Sequence, residues 1–157
     1  MALEIERKFL VTTLDYQKLS FQKKYIQQGF LNSDKNRVVR VRIIDEKGFL
    51  TIKGLSNTNG TTRFEWEKEI SFDDAKELMK LCEKGIIEKY RHYHKVKNHV
   101  FEIDEFLGDN KGLIVAEIEL ESEDEKFEKP KYLGKEVSGD QKYFNSNLSK
   151  YSFKNWT

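Results

Sequence analysis

Charged residues two positions apart recur along this chain, and they are the side chains with the most chemistry to offer. Glu4, Glu6 and Lys8 form one such row, Arg40 and Arg42 a second, and Lys89 and Arg91 a third. Arg63, Glu65, Glu67 and Glu69 make a longer row, Glu117 and Glu119 a short acidic one, and Lys53 ends a run that contains Leu50 and Ile52. In a β-strand, residues two apart share a face, so each row is one face of a strand. The other faces are apolar: Val39, Val41 and Ile43 oppose the arginines, Phe64 and Trp66 the glutamates, and Ile118 and Leu120 the acidic pair.

For any one strand, the ordinary explanation is a solvated face whose reverse packs on a core. Surface strands usually mix signs, because like charges side by side are unfavourable. Here the signs are sorted: acids gather on the first, fifth and eighth strands, cations on the third, fourth and sixth. Two like charges about 6 Å apart repel by roughly 3 kcal/mol at an effective dielectric near 20. Converging cations therefore call for an anion, and converging carboxylates for a cation. Hard carboxylate oxygens suit Mg²⁺ or Mn²⁺, which commonly share their coordination with phosphate oxygens. The rows together fit a metal–polyphosphate complex.

Period-two alternation also predicts the elements that must carry these rows. Strands are expected over 3–11, 25–31, 37–44, 49–53, 61–70, 86–96, 100–106 and 113–121. Turn-forming stretches separate them, such as Asn32-Ser33-Asp34-Lys35-Asn36 and Asp45-Glu46-Lys47-Gly48. A short helix is expected over 15–21, a second starting at Ser71 and stopping near Gly85, and a third in the tail. Eight strands with short connections make a mainly β (α+β) fold, an antiparallel barrel or sandwich. A closed eight-stranded barrel has an interior just wide enough for one small ligand.

Composition narrows the functional classes. The chain's 157 residues suit a single domain, 1–157, and 28 Lys plus Arg against 27 Asp plus Glu leave a net charge of +1. That balance gives no case for a nucleic-acid partner held by bulk electrostatics. The single Cys82 excludes an internal disulfide and belongs to the apolar side of its helical pattern. The N-terminus resembles no signal peptide and no stretch reaches the length of a membrane span, so a soluble cytoplasmic protein is expected. His92 and His94 share a face opposite Arg91 and Tyr93 and are expected to point outward, so neither they nor His99 suggest a metal site. The acidic run 121–125 reads as a solvated loop. Trp66 is expected to pack beneath a helix, and Phe144, Tyr151, Phe153 and Trp156 to cover one barrel opening or to seal a homodimer.

Glu4-Ile5-Glu6-Arg7-Lys8 resembles the Glu-x-Glu-x-Lys signature of the CYTH superfamily, the triphosphate tunnel metalloenzymes. Further matches follow in order: Gln28-Gly29-Phe30-Leu31, Val39-Arg40-Val41-Arg42, Leu50-Thr51-Ile52-Lys53-Gly54, Arg63-Phe64-Glu65-Trp66-Glu67 and Lys89-Tyr90-Arg91. Glu102-Ile103-Asp104-Glu105-Phe106, the segment from Leu113 to Leu120 and the closing Leu133 to Tyr143 complete the set, which spans nearly the whole chain. The resemblance implies an eight-stranded closed antiparallel barrel forming a tunnel, with the charged rows turned inward.

It also implies roles. Lys8, Arg40, Arg42, Lys53, Lys89 and Arg91 would grip the triphosphate, a task suited to the planar guanidinium fork. Glu4, Glu6, Glu117 and Glu119 would hold Mg²⁺ or Mn²⁺, with Asp104, Glu65 and Glu67 nearby, and Lys8, Glu4 and Glu6 would form the catalytic centre. Lys135 would reach the tunnel mouth from a plug helix. One residue departs from the pattern: Phe30 stands where many members carry a Tyr whose hydroxyl bonds the motif lysine. The implied activity is metal-dependent hydrolysis of inorganic triphosphate or a related triphosphate compound, with positioning and electrostatics supplying the catalysis. A class IV adenylate cyclase, a thiamine-triphosphatase and a non-catalytic polyphosphate- or nucleotide-binding protein remain alternatives. The implied partner is the small-molecule substrate, with no nucleic acid and no membrane.

Overall fold

In the computed structural model residues 3–156 are described. Nine strands form one sheet: β1 (Leu3–Val11), β2 (Gln22–Asn32), β3 (Arg37–Ile44), β4 (Lys47–Gly54), β5 (Thr62–Ile70), β6 (Ile87–Val96), β7 (His99–Phe106), β8 (Ile114–Glu119) and β9 (Leu133–Glu136). Their order is β5-β4-β3-β2-β6-β7-β8-β1-β9, and a further β5–β1 pairing closes the first eight into an antiparallel barrel. β5 holds only Leu3 to Ile5 of β1, while β8 runs along Glu6 to Leu10. Where β5 departs, β9 takes over the freed edge of β1, opposite Phe9 and Val11.

Three α-helices are short: α1 (Tyr16–Leu19), α2 (Phe72–Lys80) and α3 (Asn145–Leu148). Ser71 caps α2, its hydroxyl accepting from the Asp74 N–H. The helix ends at Lys80, earlier than the expected stop at Gly85. Gly48 lets it lie close on β4, since a Cβ there would fall 2.4 Å from that of Ala75. β2 starts three residues before the expected Tyr25. Lys135 is corrected: it lies exposed on β9, paired to β1, and not on a helix at the barrel mouth. No described helix is long and apolar enough to cross a membrane.

Two apolar clusters flank the charged interior. One lies outside the barrel, where Phe9, Phe101, Ile103, Ala116 and Ile118 are covered by Tyr16 and Tyr132. The other fills one end of the barrel. Phe30, Val38, Ile87, Phe106 and Val115 sit two residues beyond Gln28, Arg40, Lys89, Asp104 and Glu117 on their strands, all toward that same end. The tail brings Val137, Tyr143 and Leu148 against them, with Phe153 and Trp156 packed behind. Trp156 stands edge-on to Tyr143 at 5.3 Å and to Phe153 at 5.1 Å, so Phe153 and Trp156 help cover a barrel opening, while Tyr151 stays exposed. The opposite end carries Glu67 and Glu119, both exposed. Along its axis the interior thus runs from an apolar floor through a cationic middle to an acidic mouth.

Trp66 differs from expectation. The alternation does turn it outward, but α2 lies over β2, β3 and β4, so no helix reaches it. It remains 43% exposed.

Candidate active site

The interior holds a cavity of about 220 Å³. Its wall includes Glu4, Glu6, Lys8, Arg40, Arg42, Lys53, Lys89, Arg91, Glu117 and Glu119, so ten of the residues singled out from the sequence converge there. Glu65 and Glu67 also line it. Asp104 does not.

The carboxylates fall into two conditions. Lys53 Nζ donates to both Glu4 oxygens at 2.9 and 3.0 Å and lies 3.3 Å from Glu65. Arg63 Nε approaches Glu4 at 3.5 Å. Burial alone would raise the Glu4 carboxyl, but Lys53, Glu65 and Arg63 together hold it down at about 2. Glu6 faces Glu119 in register and has no such partner. Burial, then the charges of Glu117 and Glu4, push its carboxyl up to about 8. Burial and the charges of Glu4 and Glu102 raise Glu119 as well. Glu117 is held down, against its burial, by Lys8 at 3.9 Å and by Arg91.

The cations divide in the same way. Asp104, fully buried, accepts from Arg91 Nε at 2.7 Å, Arg91 Nη2 at 2.9 Å and Lys89 Nζ at 2.7 Å. Burial would raise its carboxyl, but these two cations hold it far below the usual range. Its oxygens are spent on this lysine and arginine of the wall, and it does not itself reach the cavity. Burial lowers Lys89 to about 8 in spite of Asp104. Arg40 and Arg42 share a single acid, Glu67, at 3.6 and 3.5 Å from their Nη2 atoms. The Nε atoms of both arginines are buried and have no hydrogen-bond partner. Burial, then Arg40 and Arg91, push Arg42 down to about 9. Buried donors of this kind are rare unless something completes them, and an anion between the two guanidiniums would do so.

Several site residues carried no charge signal in the sequence. Asn145, at the start of α3, accepts at Oδ1 from Gln28 Nε2 at 2.7 Å and Lys89 Nζ at 2.9 Å, and so ties the tail into the wall. Phe144 places its ring face 4.9 Å from Lys8 Nζ and 5.5 Å from Arg63 Cζ. Phe30 lines the cavity beside Arg40 in register and offers Lys8 no hydroxyl. Thr51 bridges Arg40 to Glu67, accepting from Arg40 at 3.2 Å and donating to Glu67 at 2.6 Å. The histidines are elsewhere: His92 packs edge-on against Tyr16, and His94 Nδ1 lies 2.7 Å from the Tyr132 hydroxyl, both outside the barrel.

Among the described residues, no three His, Cys, Asp or Glu side chains converge closely enough to cage a metal ion unaided. The wall fits a hard divalent cation in another way. Glu6 stands beside Glu117 and Glu4, and burial together with those two charges raises its carboxyl, a strain that a cation would relieve; Mg²⁺ characteristically binds through one or two carboxylates plus substrate phosphates.

The antiparallel barrel carries an inward-facing set of arginines, lysines and glutamates, is filled at one end and holds buried donors without acceptors. The chain matches the CYTH domain over residues 2–151 and belongs to that family. It is 46% identical over 157 residues to the inorganic triphosphatase of Acetivibrio thermocellus, covering 99% of each chain. It is 33% identical over 150 residues to the inorganic triphosphatase of Nitrosomonas europaea, covering 93% of this chain and 96% of that one. The solved structure of the inorganic triphosphatase NE1496 superposes with a TM-score of 0.67 at 31% identity, over 95% of both chains. A putative adenylyl cyclase from Hippeastrum shares the fold, with a TM-score of 0.59 at 15% identity over 76% of this chain and 80% of that one.

Proposed function

We propose that the protein hydrolyses a phosphoanhydride bond of inorganic triphosphate, held inside the barrel with Mg²⁺ or Mn²⁺. The observation that carries this reading is the pair of buried, unpartnered Nε donors on Arg40 and Arg42, set across the cavity from Glu4, Glu6, Glu117 and Glu119. The names of the two triphosphatase relatives support it, and so does the small cavity, which has polar groups for phosphate oxygens.

In this reading Arg40, Arg42, Lys8, Lys53, Lys89 and Arg91 hold the phosphate oxygens in one register. They stabilise charge as it moves onto the departing diphosphate, by donors fixed before the reaction starts. Asp104 acts one layer behind, keeping Lys89 and Arg91 charged and aimed. Glu4, Glu6, Glu117 and Glu119 are the residues that would hold the metal. When bound, it would offset charge on the transferring phosphoryl group and on the attacking water. Phe144 seats Lys8 against a ring face where relatives of the pattern use a Tyr hydroxyl. No nucleophilic side chain is required.

The test is to incubate the protein with inorganic triphosphate, ATP and thiamine triphosphate, with and without Mg²⁺ or Mn²⁺, and to assay phosphate, diphosphate and cyclic AMP. Metal-dependent phosphate release, fastest from inorganic triphosphate, is the expected result. Cyclic AMP with diphosphate would move the protein to the cyclases. Absence of turnover, with a triphosphate-induced rise in melting temperature, would make it a binding protein, the reading that Phe30 favours.

A further inference from the structure

The inner end of the cavity is finished by the tail. Phe144, Asn145 and Ser146 line it beside Phe30 and Val38, where the cationic middle gives way to the apolar floor. Two donors fix the amide of Asn145 in one orientation. Lys89 Nζ, which can only donate, lies 2.9 Å from Oδ1, and Gln28 Nε2 lies 2.7 Å from the same oxygen. Turning the amide over would set its NH₂ group against an ammonium and a second NH₂. The arrangement holds even though it leaves Gln28 Oε1 buried and without a donor.

With Oδ1 taken, Nδ2 is the free end of the side chain. Among the described residues it meets no acceptor, although it belongs to the cavity wall. Ser146 stands in the same condition. It is only 7% exposed and lines the cavity, and its hydroxyl makes no hydrogen bond among the described residues. The neighbours at this end have little to give an anion. Phe30, Val38 and Phe144 offer carbon, and Lys89 has spent two of its three hydrogens on Asp104 and Asn145. A phosphate oxygen pressed against carbon loses the hydrogen bonds it had in water. Neutral donors answer that loss without adding to the repulsion among the buried cations.

We propose that Asn145 is a specificity-determining residue, whose Nδ2 group, with the Ser146 hydroxyl beside it, donates to the innermost phosphoryl group of the bound chain. This role presupposes the triphosphate reading of the cavity and sharpens it. A phosphate oxygen that takes the last hydrogen of Lys89 lies next to Asn145, because the two side chains touch. Diphosphate can meet the Arg40 and Arg42 donors without reaching the tail, so the tail rewards a third phosphoryl group. That group must be unsubstituted, because an ester on it would run into the packed floor of Phe30, Val38, Val137 and Leu148. An organic substituent is tolerated only at the outer end, toward Glu67 and Glu119.

Calorimetry with Mg²⁺ and two probes that resist hydrolysis, diimidotriphosphate and imidodiphosphate, tests the assignment. The wild-type protein should bind the three-phosphorus probe more tightly. Asn145→Ala should weaken that probe about 10- to 100-fold, the usual loss of a hydrogen bond to a charged group, and leave the two-phosphorus probe nearly unchanged. Ser146→Ala breaks no side-chain bond within the chain, so it should keep the wild-type melting temperature and still cost the longer probe at least about threefold. A triphosphate esterified at both ends should not bind. A tail loosened by loss of the Gln28 and Lys89 contacts would weaken both probes alike. That result, or wild-type affinities in both variants, or a tight complex with the doubly esterified chain, overturns the role of Asn145 and leaves the triphosphate reading standing. Wild-type protein that binds neither probe overturns both.

Discussion

Two buried cation groups sit in one barrel and differ in a single respect. Lys89 and Arg91 close around Asp104, whose two oxygens take three hydrogen bonds of 2.7 to 2.9 Å. Arg40 and Arg42 have only Glu67, at 3.5 Å or more, and each keeps a buried Nε donor without an acceptor. Both groups would look alike in a list of positive residues. The first is largely satisfied by its own protein and holds shape. The second keeps two donors that, in the function proposed above, the phosphate oxygens would meet. A binding site is marked less by its charge than by its unmet hydrogen bonds, since a native interior leaves few of those without a reason.

The contrast can be broken most forcefully at Asp104. Asp104→Asn would leave Lys89 and Arg91 buried together without their counter-charge, at a cost of about 3–5 kcal/mol in a urea titration. A loss below 1 kcal/mol would mean that water compensates them. Arg42→Ala should do the reverse: fold stability is kept or slightly raised as repulsion from Arg40 and Arg91 falls, while triphosphate affinity drops by about 1.5–3 kcal/mol by calorimetry. Equal affinity would show that the unpaired donors are not the anion site.

Glu6 sharpens the comparison on the acidic wall. Its carboxyl ionises near its ordinary 4.5 when unfolded and at about 8 when folded, so the folded chain keeps a proton that the unfolded chain has lost. Metal-free stability should therefore fall as pH rises from about 5 to 8, and Glu6→Gln should flatten that fall. A Gln variant with the wild-type slope would assign the proton elsewhere. The smallest effect is expected at Phe30. Phe30→Tyr should raise triphosphate turnover modestly by returning a hydroxyl to the cavity, and unchanged kinetics would show that Phe144 already seats Lys8 well enough.

Much of this was legible in the sequence because strand alternation is strict. Arg40 with Arg42, Glu117 with Glu119, and Lys89 with Arg91 share faces by arithmetic alone, and eight strands with short turns leave few architectures open. What alternation omits is what lies against each face. It turned Trp66 outward correctly but could not say that α2 stops short of it. β9 was missed because Leu133 to Glu136 is too short to show a pattern; it forms where β5 leaves the edge of β1, an event set by distant segments. Lys135 was misplaced with it. Asn145 gave no warning because it is not charged, and Phe144, expected at a barrel opening, reaches the cavity itself; the place of both depends on how the tail folds back under the barrel.

The apolar floor has a kinetic corollary. With one end of the barrel packed by Phe30, Ile87, Phe106 and the tail, arrivals and departures share one doorway. If triphosphate is the cargo, the fragment lodged deeper cannot leave until the outer one has cleared, so the exit order is fixed by position in the queue. The last fragment out would then compete directly with the next molecule in.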